Sequence, residues 1–167
     1  FHLYAATPDD PKGFNNVRSM CESRKGGVWI GLNGGGVLRV DRRGNTLERF
    51  RAQEDDPHSL GSDKVLSVLE QRNGTLWVGT QGGGLNRMSP KSNRFIRYTN
   101  NPANPQSISD NTVIALLEDS DGTVWAGTNG GGLEMFDSER NVFVHHKYSP
   151  EPGSISGNWI WALGEDS

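Results

Sequence analysis

Short apolar runs separated by turn residues recur along this chain, and their internal spacing is that of strands rather than helices. The runs Val17-Arg18-Ser19-Met20-Cys21-Glu22, Val65-Leu66-Ser67-Val68-Leu69-Glu70 and Val113-Ile114-Ala115-Leu116-Leu117-Glu118 are counterparts of one another. In the second and third copies both alternating faces are apolar, which predicts a strand covered on both sides. Each run leads through Lys25-Gly26, Asn73-Gly74 or Asp121-Gly122 into a strand centred on Trp29, Trp77 or Trp125. Asn-Gly and Asp-Gly supply the positive φ angles of hairpin turns, so the flanking strands pair antiparallel.

A glycine triplet follows each tryptophan strand, then a third strand, a turn carrying Asn45, Asn93 or Asn141, and a more polar fourth strand at Leu47–Phe50, Phe95–Tyr98 or Phe143–His146. The tryptophans stand 48 residues apart both times. Eight of the fourteen positions from Thr75 to Met88 are identical in Thr123 to Phe136. Shared composition does not produce that agreement, so the chain is a repeat array.

Four strands per unit, with apolar character falling from first to last, predict an all-β chain of β-propeller blades: the first strand lines the axis and the fourth lies at the rim. The expected division is 1–16 for the outer strand of a preceding blade and its loop, then 17–64, 65–112 and 113–159 for three complete blades. Residues 160–167 are expected as the inner strand of a further blade, one residue early in the period. Three blades and two partial ones cannot close a ring, and both ends would leave backbone unpaired. Two solutions are open: a piece of a larger propeller of about seven blades, which we favour, or copies closing a ring around one axis.

Composition narrows the partners. The chain has 167 residues, a formal charge of -3, 22 glycines and 8 prolines. No basic patch favours nucleic acid or an anionic membrane surface. No apolar run approaches the roughly 20 residues of a membrane helix, and Phe1-His2-Leu3-Tyr4 is not a signal peptide, so no direct membrane insertion is expected of this segment. Cys21 has no cysteine to pair with and matches Leu69 and Leu117, which makes it a small apolar side chain.

The loops Asp56-Pro57-His58-Ser59-Leu60, Asn104-Pro105-Gln106-Ser107-Ile108-Ser109 and Glu151-Pro152-Gly153-Ser154-Ile155-Ser156 complete a pattern. Pro-x-Ser-(Leu/Ile), an apolar strand ending in Glu, then Asp-Gly-Thr-(Val/Leu)-Trp-(Val/Ala)-Gly-Thr-x-Gly-Gly-Gly-Leu resembles the two-component regulator propeller repeat. The first copy departs at Gly27, Leu32 and Val37. The resemblance implies the periplasmic or extracellular sensor region of a membrane-spanning signalling protein, most often a hybrid histidine kinase detecting glycan breakdown products, sometimes a diguanylate cyclase. No kinase, cyclase or DNA-binding segment is present.

In a meander the glycine triplets and the Pro-x-Ser loops fall on one face. Asn33, Gln81 and Asn129 precede the glycines there, and Asp63, Asn111 and Asn158 stand at the entry to the inner strands. They can hydrogen-bond sugar hydroxyls, or cap turns and satisfy loop backbone. Repetition favours capping, because a repeated residue serves the repeat first. Positions where the copies differ are therefore the sharper candidates: Arg18 against Leu66 and Ile114, Trp159 and Trp161 at the last unit, and His58 in a loop. An arginine at the axis suits an acidic sugar or carboxylate, or else a salt bridge with a glutamate. An exposed tryptophan suits a sugar ring, although blade-to-blade core is the favoured place for both tryptophans.

No cofactor, metal site or catalytic residue is expected. The glycine triplets lack the lysine and helix of a phosphate loop and serve close packing. Asp119-Ser120-Asp121-Gly122 is a hairpin without the later ligands of a calcium loop. His145 and His146 point to opposite faces of a strand. Expected partners are an oligosaccharide or other small ligand, and further blades in the same chain or in other copies. A protein-contact scaffold and a propeller hydrolase or lyase are the competing classes.

Overall fold

The computed structural model describes residues 16–166. The outer strand and loop expected in residues 1–15, and Ser167, lie outside the described residues.

Twelve strands form three four-stranded antiparallel sheets, each a simple meander. Blade 1 contains β1 (Val17–Glu22), β2 (Val28–Leu32), β3 (Gly36–Val40) and β4 (Thr46–Phe50). Blade 2 contains β5 (Val65–Glu70), β6 (Leu76–Thr80), β7 (Leu85–Met88) and β8 (Phe95–Tyr98). Blade 3 contains β9 (Val113–Glu118), β10 (Val124–Thr128), β11 (Leu133–Asp137) and β12 (Val142–His146). The first strands stand side by side: β5 packs on β1 and β2, and β9 on β5 and β6. This is the blade arrangement of a propeller.

The core lies between blades. Trp29 and Val37 of blade 1 cluster with Val68, Leu76, Val78, Met88 and Phe95 of blade 2. Trp77 and Leu85 of blade 2 cluster with Val113, Val124, Phe136 and Phe143 of blade 3. Trp77 meets Phe136 edge-on at a centroid distance of 4.9 Å and stacks on Tyr98 at 6.0 Å. Burial raises the Tyr98 phenol above its ordinary value, with Arg87 opposing. Cys21 is half-buried against the first cluster, and burial pushes its thiol up to about 11, which makes it inert at neutral pH.

Such packing needs close backbone approach at the inner strands. At Gly79 a β-carbon would collide with the Ser67 hydroxyl and the Val113 carbonyl of the next blade. The last glycine of the triplet, Gly84 (φ 71°), turns the chain under the Tyr98 carbonyl, again leaving no room for a side chain.

Charged clasps repeat with the blades. Glu70 Oε2 accepts from Arg24 N (3.1 Å) and Trp29 Nε1 (2.9 Å) of blade 1. Glu118 Oε2 accepts from Arg72 N (2.8 Å), and Glu165 Oε1 accepts from Ser120 N (3.1 Å). Trp77 and Trp125 instead donate within their own blades, to Gln71 Oε1 and Asp119 Oδ2, both at 2.7 Å. The equivalent Ser23 is too short to reach Trp29, and its buried hydroxyl lacks a partner among the described residues.

Four expectations are corrected. Residues 160–166 form no strand, because no described residue offers a ladder partner; yet Ile160 packs against Gly127 as Val113 packs against Gly79, and Glu165 makes the clasp. The second strands, not the first, are the most buried, since the bulged second residue of each first strand (Arg18, Leu66, Ile114) faces an open groove. The first hairpins are three-residue turns in which only the glycine (Gly26, Gly74, Gly122) has positive φ. Of the three turn asparagines only Asn141 is left-handed (φ 55°), while Gly44 takes that role in blade 1.

Replacing Trp77 by alanine should cost about 3–5 kcal/mol in urea unfolding, the range for emptying a large aromatic site. The hydrogen bond from Trp125 holds the Asp119 carboxyl below its ordinary value. Its stabilising effect is therefore present above the unfolded carboxylate value near 3.9 and is lost as pH falls through the lower folded value. Denaturation midpoints of Asp119→Asn and the parent chain should differ at pH 7 and converge in acid.

Candidate functional site

The first strands leave an open groove of about 360 Å³, lined by Arg18, Leu66, Ile114, Trp161, Gln81, Asn129 and Thr112. Four of these occupy one position of the repeat: Arg18, Leu66 and Ile114 are the second residues of β1, β5 and β9, and Trp161 follows Ile160 in the same place. In each blade the ladder slips at this residue, between Val17 and Ser19, Val65 and Ser67, and Val113 and Ala115, so it is bulged out of the pairing and turned away from the interblade core toward the groove.

Backbone bonds aim the polar residues. Gln81 N donates to Lys64 O (2.8 Å) and Asn129 N to Thr112 O (3.0 Å), which adds a rung beyond each first hairpin and leaves both amide side chains exposed. Asn129 also bridges antiparallel to Trp159, which holds the segment carrying Trp161 at the groove. No described residue pairs with the Arg18 guanidinium. A cation, two amides and a hydroxyl thus stand above an aliphatic floor, and an indole 71% exposed stands beside them.

Of the residues singled out in the sequence, Arg18, Gln81, Asn129 and Trp161 come together in this groove. Asn33 does not; it bridges to Lys64, half-buried. Asp63, Asn111 and Asn158 are spent on structure. Their carbonyls accept from Gly34 and Gly36, from Gly84, and from Gly130 and Gly132. Their side-chain oxygens accept from Ala52 N (2.8 Å), Asn100 N (2.7 Å) and Tyr148 N (2.7 Å). Each asparagine or aspartate therefore ties a crossover loop to the glycine turn of the preceding blade.

His58 also serves its loop, with Nδ1 3.4 Å from Phe95 O. Among the described residues Trp159 and Trp161 are 63% and 71% exposed; Trp161 lines the groove, whereas Trp159 lies beside Gly130. Among the described residues no group of three or more His, Cys, Asp or Glu is placed to hold a metal ion.

Two clusters were missed in the sequence. Glu134, fully buried, meets His145 Nδ1 at 2.5 Å and the Ser109 hydroxyl, while His145 Nε2 donates to Pro105 O at 2.7 Å. It occupies the place of Asn86, which satisfies three backbone carbonyls, and of Leu38, which packs in an apolar cluster. Comparing the copies shows that this position varies, but not that it is buried. The second cluster surrounds Arg87 on the opposite face.

The two-component regulator propeller model matches residues 11–34, 59–82 and 107–130, one segment in each unit. These are two-component regulator propeller repeats. In the second and third units the match runs from the crossover loop through the first two strands to the glycine turn and includes Leu66, Gln81, Thr112, Ile114 and Asn129 of the groove. Among solved structures, the extracellular domain of a protein described as a hybrid two-component system from B. thetaiotaomicron superposes with a TM-score of 0.74 at 24% identity, covering 88% of this chain and 20% of its own. A second such extracellular domain from the same organism gives 0.67 at 20% identity, covering 87% and 20%. Virginiamycin B lyase from Staphylococcus aureus gives 0.59 at 20% identity, covering 84% and 43%. At these identities the likeness shows the propeller fold. The chain spans about one fifth of the length of the two extracellular domains. No curated protein matches it.

If Asn111 is a cap and Gln81 a free side chain, Asn111→Ala should lower stability by about 1–2 kcal/mol. Gln81→Ala should stay within about 0.5 kcal/mol of the parent. Thermal or urea unfolding of the two variants checks the contrast.

Proposed function

We propose that this two-component regulator propeller segment senses a ligand for a membrane-spanning receptor of the hybrid histidine kinase type, outside the cytoplasmic membrane, and that a glycan fragment occupies the axial groove. The observation that carries the reading is the chemistry of one repeat position. Its four copies present a guanidinium, two aliphatic side chains and an exposed indole to a single groove. A sugar ring offers an apolar face to indole and aliphatic carbon, and hydroxyls to Gln81, Asn129 and Thr112.

The groove supports binding. Among the described residues its lining is a guanidinium, two amides, a hydroxyl, aliphatic carbon and an indole, a mixture suited to holding a sugar. Its walls come from three blades and the segment after them, and a ligand across it touches several units at once. Such a ligand favours one spacing of the blades over another, and only that preference can pass a signal to the receptor. Further blades, in this chain or in other copies, complete the ring in this reading.

Calorimetric titration with a broad oligosaccharide panel tests it. At least one fragment should bind, and Arg18→Ala and Trp161→Ala should each weaken it about tenfold or more, the loss of about 1.4 kcal/mol. Silence across the panel, or binding indifferent to both substitutions, overturns the reading.

A further inference from the structure

The interface between blades 2 and 3 is open where the interface between blades 1 and 2 is shut. Both lie on the face opposite the axial groove, at the hairpins joining first to second and third to fourth strands. Between blades 1 and 2 the space is about 20 Å³; between blades 2 and 3 it is about 250 Å³.

Two departures from the repeat accompany the difference. In blade 1, Arg39 Nε pairs with Glu48 Oε2 at 2.9 Å, and its Nη1 donates to Gly26 O at 3.1 Å. Arg87 is the equivalent arginine of blade 2, but its partner on the fourth strand is Ile96 instead of a glutamate. Pro90 packs over Gly74 at the closed interface, whereas Ser138 holds that place at the open one. The third arginine position is Met135.

Arg87 is therefore a cation that has lost the carboxylate its counterpart has. Its guanidinium carbon lies 5.8 Å from the Trp77 ring centre, 5.7 Å from Phe136 and 6.0 Å from Tyr98. Ring contacts hold a guanidinium in place while leaving its N–H edge able to bond. No described carboxylate pairs with it, and it lines the cavity together with Asn73, Thr75, Thr123 and Ser138.

We infer that this cavity is a second ligand site, in which Arg87 takes the carboxylate of a small hydroxylated acid. The planar fork of a guanidinium matches a carboxylate in two parallel hydrogen bonds. The exposed Asp121 at the same cavity disfavours a doubly charged sulfate or phosphate, which one arginine cannot balance. Asn73, Thr75, Thr123 and Ser138 offer an amide and hydroxyls to the rest of the molecule.

The test is calorimetric titration of the 167-residue chain with sodium galacturonate, and with galactose and sodium sulfate at matched ionic strength. Galacturonate should saturate, and galactose and sulfate should bind at least tenfold more weakly. Arg87→Met installs the residue that blade 3 carries, and Ile96→Glu restores the internal partner of blade 1 while leaving Arg87 in place. Each should weaken galacturonate at least tenfold with far-ultraviolet circular dichroism unchanged, while Arg18→Ala leaves it unaltered. The inference is overturned if galacturonate does not bind, if sulfate or galactose binds equally, or if both Arg87→Met and Ile96→Glu bind as the parent does. Loss in Arg18→Ala alone would place the acid in the axial groove and equally overturn it, so the two sites fail separately.

Discussion

Each tryptophan strand needs the neighbouring blade to bury it. Trp29 packs on the sheet of blade 2 and Trp77 on that of blade 3, so a single blade leaves its largest apolar face in water. Other features follow from bringing two twisted sheets that close. The glycine at Gly79 admits the next inner strand, and the Ser67 hydroxyl reaches across to Val113 O at 3.3 Å. The glutamate ending each inner strand then grips the hairpin of the blade before it. Even residues 160–166, which have no ladder, are positioned by the same glycine approach and glutamate clasp, with a bridge from Asn129 to Trp159 added.

This interface explains which residues are repeated. Tryptophan, glycine triplet, terminal glutamate and loop-capping Asp63, Asn111 and Asn158 all make contacts that recur at every junction. Chemistry is left to positions the interface does not constrain. The axis-facing residue can be Arg18, Leu66, Ile114 or Trp161 because nothing packs over it. Arg87 lies nearer the core, where the loss of the glutamate opposite it accompanies a cavity beside the aromatic cluster.

Much of this was legible from residue order. The spacing of tryptophans and glycines gave strand boundaries and the antiparallel meander, and the mismatch among aligned copies pointed to Arg18 and Trp161. Less legible was the division of labour among the polar residues. Gln81 and Asn111 look alike in sequence, yet Gln81 follows a ladder rung that turns its side chain outward, whereas Asn111 sits where a loop N–H needs an acceptor. The tryptophans after blade 3 were harder still, since an aromatic residue near a strand suits a core and an axis equally well.

The amino-acid order alone determined the fold and its period, because hairpin glycines and alternating apolar runs act locally and leave antiparallel four-stranded units as the solution. Only the tertiary structure decided which second strand would be driest, which asparagine would be spent on a loop, and that Glu134 would be sealed inside with His145 and Ser109. Those outcomes depend on what the adjacent blade places opposite each side chain. A contact across 46 to 49 residues, such as Arg72 with Glu118 or Ser19 with Val68, is set by the geometry of two packed sheets rather than by neighbours along the chain.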